Sequence, residues 1–154
     1  MSDPGILESI PHRGPMLLID EVTECSAEGI VCRKRFREDE FFVQGHYPDF
    51  PLVPGVILCE CAAQASALLI ANRPARPENG VDQVPVLTRL NNVRFKNMVR
   101  PGDEIEITVQ LRETVGGAWF LDGRIRNSGK LAASLELVCA AAPKPAGGHN
   151  GDRE

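Results

Sequence analysis

Two side chains in this sequence combine into acid–base chemistry. His46 lies in the turn-rich stretch Gln44-Gly45-His46-Tyr47-Pro48-Asp49-Phe50-Pro51-Leu52-Val53-Pro54-Gly55, and Glu60 follows fourteen residues later inside the apolar segment 56–72. An imidazole titrates in the physiological range and accepts a proton when neutral. Desolvation favours the neutral form of a carboxyl, so a Glu enclosed among Ala, Leu and Ile is a proton donor. A base and an acid of matched strength are what elimination of water requires. Gly55 adds a third element, because no side chain blocks its N–H and the first N–H groups of a helix carry partial positive charge. Such donors hold an oxygen on which negative charge develops. Gln64, four residues after Glu60, shares its helix face, while Ile57, Leu58, Leu68 and Leu69 fill the others.

The same residues have plainer uses. A lone His in a turn is ordinarily a hydrogen-bonded structural residue, and a lone Glu in a helix ordinarily finds an Arg partner. Gln64 is also suited to hydrogen-bonding a neighbouring turn or helix. Cys59 and Cys61 flank Glu60 but point in different directions on a helix, so they read as small buried hydrophobes rather than as a thiol site. His12, His46 and His149 are scattered, and no second ligand pair accompanies Cys59 and Cys61, so no metal site is expected. No Gly-rich phosphate loop is present, and no cofactor is expected.

The elements that must position this chemistry are legible in the periodicity. Ile105, Ile107, Val109 and Leu111 alternate with Glu104, Glu106, Thr108 and Gln110, a period of two that predicts a half-buried strand opened by Pro101-Gly102-Asp103. After Gly116-Gly117 the run 118–127 predicts its hairpin partner, and after Ser128-Gly129 the run 130–142 predicts a third antiparallel strand with Leu135, Leu137 and Cys139 on one side. Further strands are expected over 16–24, 29–36 and 86–96. Only 56–72 predicts a long helix, with Pro54-Gly55 at its start; at ~1.5 Å per residue it spans about 25 Å. It is apolar nearly all round and must be enclosed on most sides. The result is an α+β architecture, a curled antiparallel sheet around one long central helix, with spare sheet edges that a second copy can pair with. Residues 73–83 are expected to form a loop. Residues 1–142 are expected to form one domain and 143–154 a disordered polar tail.

Composition narrows the class. A chain of 154 residues with 43% hydrophobic and 25% charged residues is a soluble single domain by expectation. No secretory leader or ~20-residue apolar span is evident, so a cytoplasmic protein without membrane insertion is expected. Five cysteines, an odd number, in apolar settings fit reduced thiols. The net charge of −4 argues against nucleic-acid binding. Arg33, Lys34, Arg35 and Arg37, then Arg94, Lys96 and Arg100, then Arg124 and Arg126, are grouped; they form either solvated strand faces or a local positive patch.

On these residues the chain resembles the β-hydroxyacyl-acyl carrier protein dehydratases, which have the hot-dog fold. That family's signature Gly-His-Phe-Pro-x-x-Pro-x-x-Pro-Gly-Val, followed by Glu-Ala-x-Ala-Gln, reappears as residues 45–56 and Glu60-Cys61-Ala62-Ala63-Gln64. The similarity extends to Pro11-His12-Arg13, Leu17-Leu18-Ile19-Asp20, Arg94-Phe95-Lys96 and Val99-Arg100-Pro101-Gly102-Asp103, about residues 8–142 in all. The resemblance implies His46 as the base at C2, Glu60 as the acid at the C3 hydroxyl, Gly55 as oxyanion donor and Gln64 as a supporting hydrogen bond. It also implies an acyl carrier protein as partner, and a homodimer with each site shared between chains, often a trimer of dimers. Gly14, Met16, Val53 and Arg89 depart from the family's usual residues, which bears on chain length and tunnel gating rather than on the catalytic groups. Two other activities share these residues: a hot-dog thioesterase in which Glu60 activates water, and a non-catalytic subunit that binds the carrier.

Overall fold

Alternating apolar and polar side chains build a sheet, and one apolar helix fills its concave face. A computed structural model describes residues 4–73 and 83–143. In chain order the elements are α1 (Pro4–Ser9), β1 (Glu21–Cys25), β2 (Gly29–Arg35), α2 (Gly55–Ala71), β3 (Gln83–Phe95), β4 (Glu104–Val115), β5 (Ala118–Asn127) and β6 (Lys130–Pro143). The strands form a single sheet in the order β1-β2-β4-β5-β6-β3, with every neighbouring pair antiparallel. This is the α+β hot-dog arrangement that the sequence led us to expect.

The sheet curls because its ladders slip. Register shifts interrupt β1–β2 at Val22/Glu24, β4–β5 at Leu111/Glu113, and β3–β6 at both Leu87/Arg89 and Asn91/Arg94. Each bulge adds local twist and bends its strand around the helix. Ile105, Ile107 and Val109 of β4, Ile30 and Cys32 of β2, and Leu135 and Leu137 of β6 are buried with the helix residues Cys61, Ala62, Ala65, Leu68 and Leu69 in one core. Close approach requires small residues at the contact. A Cβ at Gly123 of β5 would lie 3.2 Å from Leu135 and Leu137 and 3.4 Å from the Ala62 Cβ of α2, so glycine there lets helix and sheet meet.

Several boundaries differ from the sequence expectation. The strand expected over 16–24 forms only from Glu21 and runs to Cys25. The preceding residues bond elsewhere: Leu18 N–H donates to Gln64 Oε1 at 2.8 Å, and the Met16 carbonyl accepts from Gln64 Nε2 at 2.7 Å. The short helix α1, unforeseen, carries Ile6 into the core, and Ile10 just beyond it is also buried. β3 begins at Gln83, inside the stretch expected to be loop, and β6 ends at Pro143, the first residue of the expected tail; residues 74–82 and 144–154 lie outside the described residues. The basic run 33–37 is not uniformly solvated. Lys34 is 4% exposed and pairs with Glu40 at 2.6 Å, while Arg35 and Arg37 are exposed.

β3 ends the sheet with one free edge, and Val86, Leu87 and Leu90 on it are each more than a third exposed. No described helix is long and apolar enough to cross a membrane.

Candidate active site

His46 sits where a run of short turns is locked by backbone hydrogen bonds. Val43 N–H donates to the Glu40 carbonyl at 3.0 Å, His46 N–H to the Val43 carbonyl at 3.1 Å, and Phe50 N–H to the Tyr47 carbonyl at 2.8 Å. Gly45 and Tyr47, on either side of it, have φ of +79° and +52°, the left-handed conformation such turns demand. The far end of the loop is tied down by Val53 N–H to the Val99 carbonyl at 2.7 Å, with Val53 buried.

The imidazole is oriented by this loop. His46 Nδ1 lies 2.9 Å from the Leu52 carbonyl oxygen. A carbonyl only accepts, so Nδ1 carries the proton of the neutral ring and Nε2 keeps its lone pair. Nε2 has no hydrogen-bond partner among the described residues. The ring therefore offers a base, with its tautomer set by the backbone, to a cavity of about 590 Å³ that His46 shares with Gly55, Val56, Leu58, Phe95 and Met98.

The start of α2 faces the same cavity. Pro54 provides no side-chain cap, and neither Gly55 N–H nor Val56 N–H finds a protein acceptor among the described residues. Two unpaired donors at the positive end of a 17-residue helix are able to hold a developing negative charge. Glycine is required at the first of them for a second reason. A Cβ there would come within 2.7–3.0 Å of the Phe95 ring.

Glu60 lies one and a half turns along α2 and does not line that cavity. The sequence suggested an enclosed acid, but the carboxyl is about a third exposed, at 30%. Its orientation comes from hydrogen bonding rather than burial. Gln64 Nε2 donates to Glu60 Oε1 at 3.0 Å, and His12 Nε2 is 3.6 Å from the same oxygen. Oε2 accepts nothing among the described residues. N–H donors on Oε1 favour density there, so when the group is protonated the proton sits on Oε2.

Gln64 is fully buried and is satisfied by three groups: the Leu18 N–H, the Met16 carbonyl and Glu60. It is thus both a helix-to-loop tie and a neighbour of the acid. His12 was set aside in the sequence as one of three scattered histidines, and its proximity to Glu60 was missed. The one available signal was its place in Pro11-His12-Arg13, one of the stretches on which the resemblance rests.

The cysteines carry no site. Cys32, Cys59, Cys61 and Cys139 are buried thiols and Cys25 is exposed. Burial pushes Cys32 up to about 12 and Cys139 up to about 11, and raises Cys59 and Cys61 as well, so these buried groups stay protonated and inert. Among the described residues no cluster of three His, Cys, Asp or Glu is placed to hold a metal.

Comparison with known proteins identifies the family of the chain. Residues 10–136 match the FabA-like domain family. A 3-hydroxyacyl-[acyl-carrier-protein] dehydratase FabZ of Anaeromyxobacter dehalogenans (strain 2CP-C) is 37% identical over 141 residues, covering 91% of this chain and 90% of that protein. The FabZ of Clostridium perfringens (strain SM101 / Type A) is 36% identical over 135 residues, 88% of this chain and 94% of its own. Among solved structures, the dehydratase heterocomplex ApeI:P from Xenorhabdus doucetiae superposes with a TM-score of 0.76 at 21% identity, over 90% of this chain and 91% of that one.

Proposed function

This chain belongs to the FabA-like family, and from that premise we propose that it is a 3-hydroxyacyl-[acyl-carrier-protein] dehydratase of fatty acid biosynthesis working through His46 and Glu60. The substrate is a (3R)-hydroxyacyl chain held as a thioester on acyl carrier protein, and the products are the trans-2-enoyl thioester and water. His46 Nε2 takes the proton from C2. Glu60 Oε2 gives its proton to the C3 hydroxyl, which leaves as water. Gly55 N–H receives the thioester oxygen as charge develops on it. The observation that carries this assignment is the 2.9 Å contact of His46 Nδ1 with the Leu52 carbonyl, which leaves Nε2 free as the base beside the open start of α2.

The site is assembled from two chains. Within one protomer the cavity holds His46 and Gly55 but not Glu60. The free, apolar edge of β3, together with Val56 at 73% and Met98 at 55% exposure around the cavity mouth, supports a homodimer in which the partner supplies the acid.

The test is hydration of a crotonyl thioester, followed as loss of enoyl absorbance. His46→Ala and Glu60→Gln each lower kcat by about 100- to 10,000-fold. Hydration untouched by either change overturns the assignment, and release of free thiol instead of hydration indicates a thioesterase. Co-refolded His46→Ala and Glu60→Ala chains regain activity if the site spans the dimer, and no recovery in demonstrated heterodimers rejects a shared site.

A further inference from the structure

His12 reaches the carboxyl of Glu60 from outside α2. Its turn is held rigid by its neighbour: Arg13 donates to the carbonyls of Ile10, His12 and Leu7 at 2.9, 2.7 and 2.8 Å. Met16 N–H and Leu17 N–H donate back to the Arg13 carbonyl at 2.8 and 3.1 Å. Gln64 then ties Met16 and Leu18 to α2, so the residue that bonds Glu60 also locks the segment that carries His12. The imidazole ends with Nε2 3.6 Å from Glu60 Oε1, and with Nδ1 buried and without a hydrogen-bond partner.

Those two nitrogens settle the protonation of the ring. A lone pair on Nε2 would face the lone pairs of a carboxylate, whereas an N–H there is attracted to it. A doubly protonated ring would bury a charged N–H at Nδ1 with nothing to accept it, a more costly orphan than a bare nitrogen. The neutral ring with its proton on Nε2 suits both ends. At 3.6 Å the contact is longer than a hydrogen bond, and charge on the oxygen strengthens its attraction for the N–H.

We propose that His12 is a positioning residue for the acid: its Nε2–H, with the amide of Gln64, holds Glu60 Oε1 and receives the negative charge left when Oε2 gives up its proton. No proton passes through His12. The inference rests on the assignment of Glu60 as the acid, and goes beyond it in naming the group that stabilises the carboxylate it becomes. A hydrogen bond to a charged group contributes about 1.5–3 kcal/mol, or about 10- to 100-fold in rate.

The test compares His12→Phe, which fills the ring volume without a donor, with His12→Gln, whose amide nitrogen falls near the position of Nε2. In the full-length protein His12→Phe is expected to lower kcat about 10- to 100-fold with KM within about twofold, and His12→Gln to recover most of the loss. Equal impairment in both variants, or a His12→Phe kcat within about twofold of the parent, overturns the proposal. Should His12→Phe fail to fold, nitrogen-15 NMR of the parent imidazole decides: a proton on Nε2, with a resonance that moves in Glu60→Gln, supports the contact, and a proton on Nδ1 overturns it. The two assignments fail separately. Turnover surviving Glu60→Gln removes the acid itself, whereas turnover lost there but retained in His12→Phe removes only the role of His12.

Discussion

Gln64 Nε2 lies 3.0 Å from Glu60 Oε1, one helical turn away on α2, and 2.7 Å from the carbonyl of Met16. One buried amide therefore couples the orientation of the Glu60 carboxyl to the docking of the N-terminal segment. Its Oε1 completes the arrangement by accepting Leu18 N–H at 2.8 Å. Every hydrogen-bonding direction of the side chain toward these partners is used inside the protein, so its loss is felt in both stability and rate.

Replacing Gln64 by Met keeps the volume and removes every one of these bonds. Leu18 N–H is left buried without its partner, at about 1–3 kcal/mol, while the carbonyl of the exposed Met16 loses its bond. Urea unfolding is expected to show a lower midpoint with an unchanged slope, and kcat is expected to fall more than KM rises. A variant as stable as the parent contradicts the tie.

Gly55→Ala drives a methyl group against the Phe95 ring, where the nearest atoms would be 2.7–3.0 Å away. Ring and helix start must move apart, displacing the N–H proposed to receive the thioester oxygen. We expect hydration to fall at least tenfold, and shortening the ring in Gly55→Ala/Phe95→Leu to recover part of it. The double variant remaining at the level of the single one argues that the close approach is unimportant.

Lys34 and Glu40 are 4% and 8% exposed and 2.6 Å apart, and Glu40 Oε2 also accepts Arg37 N–H at 2.9 Å. The pair pins the loop that leads to His46 onto β2. Lys34→Met leaves a buried carboxylate unpaired, which costs about 3–5 kcal/mol. Lys34→Met/Glu40→Gln removes the charge but keeps an acceptor for Arg37, and is expected to unfold at a higher urea concentration than Lys34→Met alone. The reverse order refutes the pairing as a stabilising element.

Buried thiols make the fold sensitive to alkali. Cys32 is raised from 9.0 to about 12 and Cys139 from 9.0 to about 11 by burial, so above pH 9 the unfolded chain has lost thiol protons that the folded chain retains. The unfolded state binds fewer protons there, so the contribution is complete below pH 9 and is lost progressively toward pH 11 and 12. Unfolding at increasing pH is expected to show this decline, reduced in Cys32→Val. In the native protein at pH 8, a thiol reagent is expected to modify Cys25 alone; fast reaction of a second thiol contradicts the burial of the other four.

What the chain announces locally is what short-range periodicity and spacing control. The alternation of Ile105, Ile107 and Val109 became β4, and the apolar run became α2 one residue earlier than expected, at Gly55. The segment 45–64 carried His46, Gly55 and Glu60, the groups proposed as base, oxyanion donor and acid, in one short stretch. Lys34 was legible in part, because it falls on the same strand face as Ile30 and Cys32, a position where a cation demands a partner. Its partner was not, since Glu40 reaches it through a turn rather than along the strand.

Other features depended on contacts between residues far apart in sequence. Leu17, Leu18 and Ile19 look like strand, yet Leu18 bonds to a side chain 46 residues away, and no local pattern encodes that. Glu60 looked enclosed because its helix neighbours are apolar, but side-chain burial is set by what packs against the helix, which leaves the carboxyl a third open. His12 became significant only when the fold carried it to that carboxyl. Residue type and spacing by themselves determined which groups can exchange protons and which segments are helix or strand, because those depend on chemistry and on local backbone geometry. Tertiary structure decided which nitrogen of His46 is left with its lone pair, which oxygen of Glu60 is left without a donor and which residues hold them there, because hydrogen bonds act over about 3 Å in space regardless of separation along the chain.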